Sequence, residues 1–116
     1  MNALRRRARR AGVPSPRQVR EDLSLLRRNL GFVFRHVLPA RRLARAYLER
    51  LVDDPPAGCR AYCGLALLEL AHLHAHFGER DAAARRAAQA AEVFARQGAQ
   101  NALRQVQPLA ASLQQR

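Results

Sequence analysis

A chain of 116 residues, 48% of them apolar, can bury one hydrophobic core without metal or disulfide support and is too apolar to stay wholly disordered. Twenty-one basic residues against nine acidic ones give a net charge of +12, which points to anionic partners: phosphate backbones or acidic proteins. No apolar run approaches the roughly 20 residues of a membrane helix, and the basic start MNALRRRARR lacks the apolar core of a signal peptide, so a cytoplasmic protein without membrane contact is expected.

All the basic residues are arginine, a bias that a GC-rich genome produces by itself, so their placement says more than their type. Residues 1–20 hold seven arginines and no acid; residues 21–56 hold seven against five acids, and residues 57–116 seven against four. The charge is concentrated at the front, in an arm of residues 1–14 carrying Arg5, Arg6, Arg7, Arg9 and Arg10. Their mutual repulsion predicts a mobile or only partly helical segment. A single domain, residues 15–116, follows.

Ser15-Pro16-Arg17-Gln18 opens the first helix: Ser15 caps, Pro16 tolerates the first helical position, and Gln18 completes a capping box. Val19, Leu23, Leu26, Leu30, Val33 and Val37 then form one apolar stripe about five turns long. Phe32 and Phe34 widen it, and Gly31 permits a bend or a close approach. Pro39 ends that helix or opens the next. Helix two, about 40–52, sets Leu43, Tyr47 and Leu51 on one face and Arg41, Arg42 and Arg45 on the other.

Asp53-Asp54-Pro55-Pro56 is the clearest break, with Asp54 expected to cap a third helix over 56–77. That helix carries Cys59, Cys63, Leu67, Leu70, Leu73 and Phe77 on its main face, while Leu65 and Leu68 make its far side partly apolar, as in a helix packed between neighbours. After a turn at Phe77-Gly78-Glu79-Arg80, helix four (80–97) turns Ala83, Ala87, Ala90, Ala91 and Phe94 inward. Gly78 and Gly98 suit the left-handed position that closes a helix. A last helix, 100–115, has Ala102, Val106, Leu109 and Leu113 at helical spacing, with a kink or break expected at Pro108. The economical architecture is all-α: two antiparallel hairpins plus a C-terminal helix.

Gly78, Ala83, Ala90, Phe94 and Gly98 have the spacing of one tetratricopeptide-like unit, and the stretch 64–98 resembles the variety found in helical-repeat regions of bacterial regulators. Leu67, Leu70 and Ala71 suit the first helix of such a unit; His74 stands where an aromatic is usual, and the chain has no tryptophan. The resemblance covers about 35 of the 116 residues. It implies a stack of helix pairs that holds another protein and performs no catalysis.

The chemistry-bearing residues fit that reading. Glu69, His72 and His76 share one face of helix three, with His74 on the core side. Glu-x-x-His is half of a di-iron motif, but the chain offers no second copy, so a polar flank without metal is expected. Cys59 and Cys63 read as reduced core thiols. No phosphate-cradling glycine loop, nucleophile–base pair or carboxylate pair suggests an enzyme or a cofactor. The candidate contacts to nucleic acid or to an acidic partner are Arg5, Arg6, Arg7, Arg9, Arg10, Arg17 and Arg20, extended by Arg41, Arg42 and Arg45. A partner-binding helical module is the leading reading, and a small basic nucleic-acid-binding protein on a helical scaffold the alternative. Apolar surface at Phe32, Phe34, Leu65 and Leu68 adds an expectation of homodimers or a stable complex.

Overall fold

The computed structural model describes residues 15–29 and 38–114. The expectations for the arm of residues 1–14, and for Leu30, Gly31, Phe32, Val33, Phe34 and Val37, lie outside these residues. Among the described residues there are five α-helices and no strand. They are α1 (Pro16–Asn29), α2 (Leu38–Asp53), α3 (Cys63–His76), α4 (Arg80–Gln97) and α5 (Gln100–Gln114), with a 3-10 turn at Arg60–Tyr62 before α3. No helix is long and apolar enough to cross a membrane among the described residues.

The local signals act as their chemistry requires. The capping box at α1 is reciprocal: Ser15 N–H donates to Gln18 Oε1 (3.1 Å) and Gln18 N–H to Ser15 Oγ (3.3 Å). Two turns close on the same paired bonds. Glu79 N–H reaches His74 O (2.9 Å) and Gly78 N–H reaches Ala75 O (3.1 Å); Ala99 N–H and Gly98 N–H repeat this on Phe94 and Ala95. Gly78 (φ 76°) and Gly98 (φ 68°) supply the left-handed residue that this closure needs.

Helix three starts later than expected, which corrects two sequence readings. Asp54 does not cap it; its N–H bonds to Arg50 O (2.8 Å) just beyond the end of α2. Cys59 is not on it, but precedes the 3-10 turn and still lies fully buried. Gly58 sits at φ 78°, where a helix cannot continue, and its missing Cβ would stand 3.1 Å from Pro16 Cγ at the start of α1. Both cysteines are free, and burial pushes both thiols above their ordinary range. Of the kink or break expected at Pro108, the break is absent: α5 runs through it. Pro108 is exposed, so the backbone bond it removes is lost on the watered side.

The helices alternate in direction, as side chains at their ends show. Gly64 at the start of α3 meets Phe94 near the end of α4. Arg80 at the start of α4 donates to the carbonyls of Ser112 (3.3 Å) and Leu113 (2.9 Å) at the end of α5. Arg41 near the start of α2 reaches Glu79 just past α3. Tyr47 of α2 donates to the buried Asp22 of α1 (2.8 Å).

Helix α3 stands in the middle, with a core on either side. One core joins Val19, Leu23 and Leu26 of α1, Ala44, Leu48 and Leu51 of α2, Cys59, and Ala66, Leu70 and Leu73 of α3. The other joins Leu67, Leu68 and Ala71 of α3 to Ala87, Ala90 and Phe94 of α4 and Val106 of α5. Each fully buried leucine contributes about 1.5–3 kcal/mol. Leu65 packs against both cores and Leu68 is buried in the second, so the apolar surface they were expected to offer to another copy is used within the chain. Ala83, Ala87 and Ala90 are wholly buried and let α4 lie close to α3. Closest of all is Gly64, where a Cβ would come within 2.5 Å of the Phe94 ring.

Candidate partner-binding face

One stripe of α3 carries Leu65, which packs against both cores, and then Glu69, His72 and His76, at intervals of four, three and four residues. Leu65, His72 and His76 are half-buried and Glu69 is nine-tenths buried. Arg27 of α1 stands beside the stripe, with Nη1 3.9 Å from Glu69 Oε2. That is an ion pair at its outer limit and too long for a hydrogen bond. Burial pushes the Glu69 carboxyl up to about 7 against the opposing pull of Arg27. Burial, with Arg27 adding to it, pushes His72 down to about 4.

Glu69 Oε2 and His76 Nε2 are both buried and without a hydrogen-bond partner. The His76 ring meets Phe77 edge-on, with centroids 5.5 Å apart. Orphaned buried polar atoms are uncommon, because each forgoes about 1–3 kcal/mol of solvation or bonding. Here both fall on the same stripe of α3.

His74 lies on the opposite side of α3, as the helical angles predict, and is 5% exposed. Its Nδ1 is 3.1 Å from Glu79 Oε1, which selects the tautomer with hydrogen on Nδ1. Arg41 donates to the same oxygen at 2.9 Å, and its guanidinium sits 4.0 Å over the Phe77 ring. The His74 hydrogen bond, followed by the Arg41 charge, holds the Glu79 carboxyl below its ordinary range against some desolvation.

Of the arginines that the sequence singles out, Arg5, Arg6, Arg7, Arg9 and Arg10 lie outside the described residues. Arg41 is bound up in the α2–α3–α4 junction, and Arg45 pairs with Glu49 at 2.7 Å on its own helix. Arg42 is exposed. Arg17 and Arg20 lie exposed on α1, Arg17 at 3.5 Å from Glu21. With Ser24 and Arg27 they form one outward face, 17-20-24-27. Arg27 was not among the expected residues, although its place seven residues after Arg20 was a readable signal.

Family models, curated proteins and solved structures give no match to this chain. The site therefore stands on its own geometry. Among the described residues no three His, Cys, Asp or Glu side chains are grouped to hold a metal ion. Glu69 and His72 feel Arg27, a cation, where a metal would need further acidic ligands. A hollow of about 660 Å³ lies between the start of α4 and the end of α5, lined by Gly78, Arg80, Asp81, Ala84, Leu113 and Gln114. There Arg80 is engaged by the α5 carbonyls.

Proposed function

We propose that this chain is a non-enzymatic, cytoplasmic helical interaction module that binds a partner protein along the outer stripe of α3. One observation carries the reading: among the described residues the buried side-chain atoms without a hydrogen-bond partner, Glu69 Oε2 and His76 Nε2, both lie on that stripe. Both atoms are closed to solvent, so a partner segment that satisfies them displaces the half-buried His72 or His76 side chain as it docks. The tetratricopeptide-like spacing from Gly78 to Gly98 supports the same use, since such stacks hold partners between helix faces. The experiment is capture of partners by the full chain with and without nuclease, beside Arg27→Gln and His76→Ala variants. Capture that survives nuclease and is lost in the variants fits the reading; capture that vanishes with nuclease refutes it. Homodimers, the other occupant of the stripe, would double the mass seen by light scattering.

A second reading has its own support. Residues 1–20 hold seven arginines and no acid, a field suited to phosphates. Deleting residues 1–12 removes no position that the sequence pattern assigns to a core. If the arm engages about four phosphates of duplex DNA, the deletion lowers the slope of log affinity against log salt by about three to four. Equal, weak binding by both forms would leave the partner-binding reading alone.

A further inference from the structure

We propose that the outward face of α1, made by Arg17, Arg20, Ser24 and Arg27, lies along the phosphate backbone of duplex DNA. This rests on the nucleic-acid reading of the basic N-terminal residues and gives that reading a folded surface. From Arg17 to Arg27 the helix rises about 15 Å, so three cations and a hydroxyl stand in series on one side. All four residues are exposed, the Arg17 side chain 90% and the Arg27 side chain 49%. The first turn of α1 holds no acid, so the positive end of the helix dipole adds to the field at Arg17.

The acids near this face do not cancel it. Glu21 is 3.5 Å from Arg17 in an exposed pair four residues apart, a contact of little energy that a phosphate can replace. Glu69 is 3.9 Å from Arg27 but only 11% exposed, so an anion arriving from solvent meets the guanidinium first. Asp22, the other acid of α1, is buried and accepts a hydrogen bond from Tyr47. Arg20 has no ion-pair partner among the described residues.

The make-up of the face selects the ligand. A protein interface centres on apolar side chains and is depleted of charge there, whereas positions 17, 20, 24 and 27 hold no apolar side chain. A phosphate backbone needs only cations in series, because its affinity comes from released counterions. These positions hold no aromatic side chain on which unpaired bases could stack, which favours a duplex over a single strand. Val19, Leu23 and Leu26 tie the inner side of α1 into the core, leaving the polar half to meet the nucleic acid. The B-form major groove, about 12 Å wide, admits a helix at its mouth; the A-form groove of duplex RNA is deep and narrow.

The test titrates the full chain and its full-length variants against a short fluorescein-labelled DNA duplex, by anisotropy, from about 50 to about 200 mM salt. The triple variant Arg17→Gln, Arg20→Gln, Arg27→Gln should lower the slope of log affinity against log salt by about 2.7. Over that salt range the wild type then weakens about 40-fold more than the variant. A matched triple, Arg85→Gln, Arg96→Gln, Arg104→Gln, removes the same charge from exposed arginines of α4 and α5 and should leave the slope nearly unchanged. Circular dichroism checks that each variant folds. The double variant Arg17→Gln, Arg20→Gln leaves the Arg27–Glu69 pair intact, should lower the slope by about 1.8, and decides the matter should the triple fail to fold. Equal losses in the two triples assign the effect to net charge and overturn the proposal. So does an equal loss on duplex RNA, or binding of a glutamate–alanine peptide that needs the same three arginines. If deleting residues 1–12 lowers the slope and the α1 triple does not, the arm reading stands and the helical face falls; if neither lowers it, both fall.

Discussion

Replacing Glu69 by glutamine should stabilise this protein in mildly alkaline solution and do little in mild acid. The fold holds the Glu69 carboxyl at about 7 against an ordinary 4.5, mainly by burial. A carboxyl whose folded value is raised binds its proton more tightly in the native state. Its contribution is then fully present below its unfolded value and is lost as pH climbs through the folded one. A shift of this size corresponds to about 3 kcal/mol at most, of which roughly 2 kcal/mol accrues between about pH 5 and pH 8. Glutamine keeps the shape and hydrogen-bonding capacity without the charge. Urea denaturation of both proteins, followed by circular dichroism at the two pH values, gives the difference directly, since terms common to both proteins cancel. The variant should gain roughly 2 kcal/mol on the wild type between the lower and the higher pH. Parallel stability curves, with a constant offset across the range, would refute the placement of Glu69 as a buried, weakly paired acid.

Other outcomes follow from the packing. Gly64→Ala puts a Cβ 2.5 Å from the Phe94 ring and should cost about 1–3 kcal/mol by thermal or urea melts, with Phe94→Leu in the same chain recovering part of it. Glu79→Gln breaks the junction of His74 and Arg41; because the folded Glu79 carboxyl is held low, the loss should be full at neutral pH and shrink as acid protonates the wild-type residue. Arg41→Lys keeps the charge without the planar stack on Phe77 and should melt between Arg41→Ala and the wild type. Ser15→Ala opens the α1 capping box and should cost about 1 kcal/mol.

What was legible in the sequence was local. The four-and-three spacing of Val19, Leu23 and Leu26, or of Ala83, Ala87, Ala90 and Phe94, needs only the helical period to become a buried face. Gly78 and Gly98 needed only the left-handed residue that closes a helix. The start of α3 misled because Pro55-Pro56 suits a helix opening equally well, while Gly58, in the left-handed region at φ 78°, breaks the helical backbone beyond them. The site was half visible: Glu69, His72 and His76 could be placed on one face, but not Arg27 beside them, 42 positions earlier than Glu69. Arg41 shows the same limit from the other side. Its charge could be read, while its partner Glu79 lies 38 positions away and turns a candidate surface cation into part of the frame.

Because α3 is the shared wall of two cores, the two sides of the described fold depend on each other through it. An array of separable repeats unravels from its ends; here removing α4 and α5 uncovers one flank of the helix on which α1 and α2 rest. Amide hydrogens in the buried run of α3 from Ala66 to Leu70 should therefore exchange only when the entire chain opens, while those of α1 and α5 exchange through cheaper, partial openings. A nick in the Gly78 turn would yield two fragments that regain structure only by recombining.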